Sequence, residues 1–275
     1  MKMEIFDIST PIQNDAMEPQ SSKISYVNYK LGGFFLGLEG VTYKRKKFRT
    51  LLNYICYVIG INKVSAKDFP DQIGLSWENI KTMSHRGTHV DAPSHFGPLC
   101  KGEIAKTCSE LPLDWFFHDG ILLDMSYKKR GELITLNEIQ EELKRINYKI
   151  KEFDIVLIRT DMDKKWNSPT YLLDAPGLSV DAVKWLVLQG VKVIGIDSYS
   201  LDLPATIMVD SYLKDKDNAH LWPVHMLGRE YEYCHIEKLA NLDKLPSPIG
   251  FKVCSFPVHI KNASAGWARV VAIYE

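Results

Sequence analysis

A chain of 275 residues with 45% hydrophobic and 25% charged content has the profile of a globular protein able to bury a substantial core. Its 34 Lys and Arg balance 34 Asp and Glu, so no global field draws in nucleic acid or an anionic membrane, and any partner is recognised locally. Five scattered cysteines (Cys56, Cys100, Cys108, Cys234 and Cys254), odd in number and without a CxxC pair, argue against a disulfide framework and a Cys-rich zinc site, and make a reducing cytoplasm the expected location.

Met1 to Asp7 carries acids where a secretory signal would have its apolar stretch, so no export signal is expected. Glu4 to Ile12 reads as a short strand reaching Pro11, and the polar stretch through Lys23 as a surface arm. Between Lys44 and Ile59, Phe48, Leu51, Leu52, Ile55, Val58 and Ile59 recur at helical spacing behind the basic start Lys44-Arg45-Lys46-Lys47, which reads as a solvated helix end. The run Leu51 to Ile61 is roughly half the ~20 residues that cross a bilayer, and a buried helix is expected there. Leu136 to Ile146 is an amphipathic helix with Leu136, Ile139, Leu143 and Ile146 on one face. Asp154 to Thr160 is a buried strand, Ser179 to Gly190 a helix with a Ser N-cap and a Gly stop, and Val191 to Asp197 a second buried strand, together a β-α-β unit. Phe251 to Ile260 and Ala268 to Tyr274 read as closing strands. No repeat or low-complexity linker interrupts the chain, so one α/β domain with a strongly β core is expected.

The segment His85-Arg86-Gly87-Thr88-His89-Val90-Asp91-Ala92-Pro93-Ser94-His95 concentrates three histidines and an aspartate. A helix would put His85 and His89 on one face, but Gly87, Thr88, Val90 and Pro93 suit a helix poorly. In an extended chain the four share a parity, yet His85 and His89 would lie about 13 Å apart, too far for one ion bound at ~2.0 to 2.2 Å. A bend is required, and Gly87 is placed to supply it. His85, His89 and Asp91 then form a mixed nitrogen and oxygen site suited to zinc, manganese or iron, with coordination positions left open. His95, beyond Pro93, is better placed as a general base than as a ligand.

At these residues the sequence resembles the putative cyclase family, whose signature His-x-Gly-Thr-His-x-Asp-x-Pro-x-His is matched at every position and which includes kynurenine formamidases, isatin hydrolases and polyketide cyclases. The resemblance runs from Phe6-Asp7-Ile8-Ser9 to Ala265 through Val271, and Trp222 to Leu242 and Gly250 to Trp267 look most like the bacterial polyketide cyclase branch. It implies a β-rich α/β fold of the swivelling β/β/α type in a single domain over 1–275, with a helical insertion at about 32–71. It also implies a homodimer or homotetramer, metal ligation by His85, His89 and Asp91, and catalysis by His95. His225 and Glu237 would complete a second metal position or bind the catalytic water, making Glu237 both ligand and catalytic residue. One or two divalent ions are implied, zinc first and manganese second.

Two chemistries suit such a site. As a cyclase, the ion polarises a carbonyl oxygen of a polyketide-like or aromatic small molecule while His95 removes a proton from carbon. The alternative is an arylformamidase or lactam hydrolase using metal-bound hydroxide. Trp77, Phe96 and Trp222 are candidate substrate-binding aromatics, and Trp115, Phe116 and Phe117 are further ones near the ligands in sequence. Asp197, Ser200 and Asp202 follow a strand, where turn chemistry and function explain them equally well. His118, His220, His235 and His259 are read as structural. A closed structural metal would call for cysteines that the segment lacks, and non-haem iron chemistry needs only the same two histidines and carboxylate.

Overall fold

Runs in which nearly every residue is apolar, as in Gly120 to Leu123, Ile155 to Ile158 and Val193 to Ile196, are satisfied only in strands covered on both faces. In the computed structural model, which describes residues 3–19, 21–43 and 47–275, they lie at the centre of a nine-stranded sheet. Its strands are β1 (Glu4–Asp7), β2 (His89–Asp91), β3 (Phe117–Asp124), β4 (Ile155–Arg159), β5 (Val193–Ile196), β6 (Cys234–Glu237), β7 (Phe251–Cys254), β8 (Ala265–Trp267) and β9 (Val271–Tyr274), in the spatial order β1-β9-β7-β3-β4-β5-β6-β2-β8. The four central strands β3 to β6 are parallel, and the flanking strands pair antiparallel.

Among the described residues there are seven α-helices: α1 (Tyr29–Thr42), α2 (Lys47–Val58), α3 (Pro93–Phe96), α4 (Leu136–Arg145), α5 (Val180–Leu188), α6 (Ala205–Asp215) and α7 (Pro223–Leu227). The central strands alternate with period two. Ile121, Leu123, Val156, Ile158, Ile194 and Ile196 pack with Ile139 and Leu143 of α4 and Val183 and Leu186 of α5, whereas Leu122, Ile155, Leu157 and Val193 face the opposite core with Val90 and Ile236. The fold is therefore α/β with a β-dominated core, as expected, and β4-α5-β5 is the expected β-α-β unit.

Several local expectations shift. Ser179 occupies the N-cap position of α5 without a side-chain cap bond, while Gly190, at φ +98°, ends the helical path. The closing strand from Phe251 stops at Cys254, shortly before Pro257, which has no N–H to donate to a ladder, and the unexpected strand β8 follows.

The chain divides into two compact units, Met1–Gln20 with Met83–Glu275, which holds the nine-stranded sheet, and Ser21–Thr82. The helices expected between residues 32 and 71 fall inside the second unit. There Lys23–Val27 pairs antiparallel with Trp77–Lys81, and Asn28 caps α1 by accepting from the Leu31 N–H at 3.0 Å. Of the basic run at 44–47, residues 44–46 lie outside the described residues. The buried helix expected over Leu51 to Ile61 is corrected: Tyr57 of α2 is buried, but Leu51, Leu52, Ile55, Val58, Ile59 and Ile61 are all exposed. Helical spacing identified the apolar face, but a unit of two helices and a hairpin offers too little mass to cover it. No helix among the described residues is long and apolar enough to cross a membrane.

Candidate metal centre and cavity

Gly87, at φ +63°, makes the bend that the signature segment requires. His85 stays in the turn before it, while His89 and Asp91 enter β2 on one face and Val90 points into the core between them. Strand β6 lies antiparallel beside β2, with His235 opposite Asp91 and Glu237 opposite His89. Pro93 starts α3, which carries His95, and Pro223 starts α7, which carries His225.

Hydrogen bonds fix which nitrogen of each ring faces the centre. His89 Nδ1 is 2.9 Å from the carbonyl of Gly87, which can only accept, so Nδ1 bears the proton and Nε2 presents a lone pair. That Nε2 sits 3.2 Å from Asp91 Oδ1 and 3.7 Å from Glu237 Oε2. His225 Nδ1 is 2.6 Å from Asp202 Oδ2, and Asp202 is itself held by the backbone N–H groups of Val224 and His225. His225 Nε2 is turned toward Glu237 Oε1 at 3.8 Å. His85 Nδ1 lies 2.8 Å from Asp91 Oδ1, and its Nε2 lies 3.1 Å from Ser264 Oγ. The His95 ring stands 4.2 Å from that of His85 and 5.4 Å from that of His225, centroid to centroid.

The electrostatics follow from crowding. Burial raises the Asp91 pKa, but His89, His85 and His95 overcome it and hold the carboxyl well below its usual range; Glu237 is lowered too, by His235, His225 and His89 against its burial and Asp91. Burial disfavours charge on His225, yet Asp202 and Glu237 push it up to about 9. Desolvation, reinforced by His85 and His225, holds His95 down to about 4 against the pull of Asp91 and Glu237, so its imidazole is neutral near pH 7.

The donor set fits a divalent cation. His89 Nε2, both Asp91 carboxylate oxygens, His235 Nδ1 and Glu237 Oε1 are buried without a sound hydrogen bond, an expensive arrangement that a cation relieves. Asp91, His225, His235 and Glu237 place ligand atoms within 4.8 Å of one another, as do His85, Asp91 and His95, so Asp91 is common to both groups.

The centre closes one end of a cavity of about 480 Å³, lined there by His85, His95, His225 and Glu237 and elsewhere by Leu172, Leu173, Leu203, Tyr199 and Trp222 among others. Of the candidate substrate-binding aromatics, Trp222 lines this space. Phe96 does not: it is buried behind the centre against Tyr233 and His235. Trp77 belongs to the second unit, where it packs near Phe35. Trp115 and Phe116 are core residues, and Phe117 is exposed.

Sequence reasoning passed over three participants and left a fourth, Asp202, open between turn chemistry and function. His235 was read as structural and stands at the centre, and Asp202 orients His225. The arm before Lys23 is pinned: Glu18 bridges the Gly87 N–H at 3.1 Å and the buried Lys238 Nζ at 2.6 Å, and Lys238 also donates to the His85 carbonyl at 2.6 Å. A signal existed for His235, two residues before Glu237 and hence on the same strand face, and for Asp202, which follows a strand; Glu18 and Lys238 had none.

A family model described as "Putative cyclase" matches residues 6–203. The chain is 26% identical over 194 residues to the kynurenine formamidase of Erythrobacter litoralis (strain HTCC2594), covering 69% of this chain and 74% of that protein. It shares its fold with isatin hydrolase A from Ralstonia solanacearum (TM-score 0.69, 21% identity, 99% of this chain and 92% of that one). A potential metal-dependent hydrolase with cyclase activity aligns over 100% of this chain and 99% of its own (TM-score 0.61, 17% identity). With the family model spanning most of the chain, and its signature residues gathered at the end of a cavity, the protein belongs to the cyclase family and is an enzyme.

Proposed function

We propose that this protein is a metal-dependent amidohydrolase that opens an aryl formamide or a ring-fused lactam. The observation that carries its metal dependence is the convergence of unpartnered buried donor atoms from His89, His235, Asp91 and Glu237 at the end of a mainly apolar cavity. The choice of hydrolysis rests on the likeness to a kynurenine formamidase and to isatin hydrolase A. His85, His89, Asp91, His225 and Glu237 would hold one or two divalent ions, with Asp91 common to both ligand-spaced groups; a donor set mixing imidazole with carboxylate suits zinc first and manganese second. When bound, a divalent ion polarises the substrate carbonyl and lowers the pKa of water.

The chain's own groups do the rest. The Gly87 carbonyl keeps the far nitrogen of His89 protonated and its near nitrogen free. Asp202 orients His225 so that its near nitrogen, which carries a proton at neutral pH and gives it up to a cation, faces the centre. Neutral His95 accepts the proton of the attacking water on a ring nitrogen and returns it to the leaving nitrogen. Trp222, Leu172 and Leu203 hold an aromatic body and exclude water. Five unpaired cysteines suit the reducing cytoplasm in which we place the enzyme.

Ring closure of a polyketide-like substrate is the second reading, favoured by the cyclase activity ascribed to one structural relative. Its chemistry would use His95 to remove a proton from carbon. Elemental analysis of the purified protein, followed by assays of metal-loaded and chelator-treated enzyme on an N-formylaniline, isatin and a linear polycarbonyl compound, separates the two. Metal-dependent hydrolysis of either amide is expected; turnover of the polycarbonyl compound alone would overturn the hydrolase assignment.

A further inference from the structure

We propose that His235 is an additional ligand, through Nδ1, of a nitrogen-rich cation position that it bounds with Asp91, His225 and Glu237. The inference rests on the reading above that a divalent ion occupies this centre, and extends it to a residue that the signature does not include.

Three observations converge. First, the strand register places His235 directly across from Asp91, on the same face of β6 as Glu237, so its ring is delivered to the centre by backbone pairing. Second, its tautomer is set from behind. Tyr233 donates its hydroxyl proton to the Val224 carbonyl at 2.7 Å, so the phenolic oxygen 3.1 Å from His235 Nε2 has only a lone pair to offer. Nε2 must carry the proton, which leaves Nδ1 as a bare lone pair, fully buried and without a hydrogen-bond partner. Third, the ring cannot swing away, because Phe96, Tyr233 and His225 enclose it with centroids at 4.7, 5.1 and 4.8 Å.

A purely structural histidine would not leave that lone pair facing a carboxylate. Nδ1 lies 3.9 Å from Glu237 Oε1, and His225 Nε2 lies 3.8 Å from the same oxygen. Both separations are too long for a hydrogen bond and lie within the roughly 4 Å spanned by two metal–donor bonds of ~2.0 to 2.1 Å. Two imidazoles and two carboxylates at one position favour zinc or cobalt over manganese or magnesium, which are better served by oxygen alone.

The test uses the full-length protein stripped by chelator and titrated with Zn²⁺ against a chromophoric competitor, and with Co²⁺ followed by its visible absorption. His235→Leu is expected to weaken the tightest Zn²⁺ site by more than the roughly 10- to 100-fold that loss of an outer-shell partner costs, and to change the Co²⁺ spectrum. Mn²⁺ affinity should fall less, so the Zn²⁺/Mn²⁺ preference narrows. Tyr233→Phe keeps the ring but removes the acceptor that fixes the tautomer, and should weaken Zn²⁺ by about 10- to 100-fold with the fold intact by circular dichroism. It decides the matter if His235→Leu does not fold. Unchanged Zn²⁺ affinity and Co²⁺ spectrum in whichever variants fold would overturn the His235 assignment while leaving the metal reading standing. A wild-type protein that binds no divalent ion would overturn both.

Discussion

Among the described residues of the sheet-bearing unit three groups have metal-like spacing, two in the cavity and one outside it, and the two places differ in how their charges are answered. Asp161, Asp163 and Asp197 lie within ligand distance of one another, as do the histidines and carboxylates of the cavity. In the acidic trio the demand is met from within: Asp197 accepts from the Thr160 N–H and hydroxyl and the Asp161 N–H, Asp161 pairs with Arg159 and Lys164 at 2.6 Å each, and Asp163 accepts from the Asn241 N–H at 2.7 Å. In the cavity Asp91 Oδ1 has the His85 ring at 2.8 Å, but His89 Nε2, Asp91 Oδ2, His235 Nδ1 and Glu237 Oε1 are buried with no hydrogen-bond partner. Spacing alone therefore does not mark a site; the convergence of several unanswered buried donor atoms on one point does, whereas isolated ones such as Ser179 Oγ and Trp166 Nε1 occur elsewhere.

The sharpest way to break this contrast is to remove Asp91, the carboxylate common to both cavity groups. Asp91→Ala should lose the ion by elemental analysis and drop hydrolysis to the uncatalysed background, whereas Asp161→Asn should keep metal content and activity at wild-type levels. Metal loss in the second variant would erase the distinction. Next in size, His95→Ala should retain the ion and lower kcat by about 10²- to 10⁴-fold, the usual worth of a positioned general base. Metal loss equal to that of Asp91→Ala would make His95 a ligand. Asp202→Asn, which keeps an acceptor for His225 Nδ1 but removes its charge, should weaken metal binding by about 10- to 100-fold in a competition titration. Unchanged affinity would reduce Asp202 to a loop anchor.

What the sequence shows of all this depends on distance along the chain. The grouping of His85, His89, Asp91 and His95 is legible because eleven residues contain it and one glycine tells where the chain must turn. The β-α-β unit is legible because its strands are apolar at every position, a pattern that needs no partner to interpret. His235 is not, since its meaning appears only when β6 is laid against β2 in a register set by residues more than a hundred positions away. The same holds for Glu18 and Lys238, joined across 220 residues. In α2 the period showed an apolar face, but nothing in a helical repeat says whether that face is covered, and Leu51 and Ile55 stand exposed.

The last expected effect comes from the answered side of the comparison and reads out in stability, not catalysis. Asp197 is fully buried, and burial pushes its carboxyl up to about 7 although the Thr160 and Asp161 donors oppose the rise. With a folded pKa above the unfolded value of 3.8, the folded state binds the extra proton between those values. Unfolding free energy is then highest below about pH 4 as far as this group is concerned, and is lost as pH rises through about 7. Because His95, held down to about 4, contributes the opposite slope over part of this range, the effect is read as a difference. The unfolding free energy of chelator-treated wild type minus that of Asp197→Asn, from urea titrations, should decline as pH rises, by about 1.4 kcal/mol for each pH unit over which the extra proton is held. Asp197→Asn is neutral at every pH and should leave metal content untouched. A difference that does not change with pH would show that Asp197 keeps its charge in the folded state, held by the Thr160 and Asp161 donors, the strongest form of the contrast with the cavity.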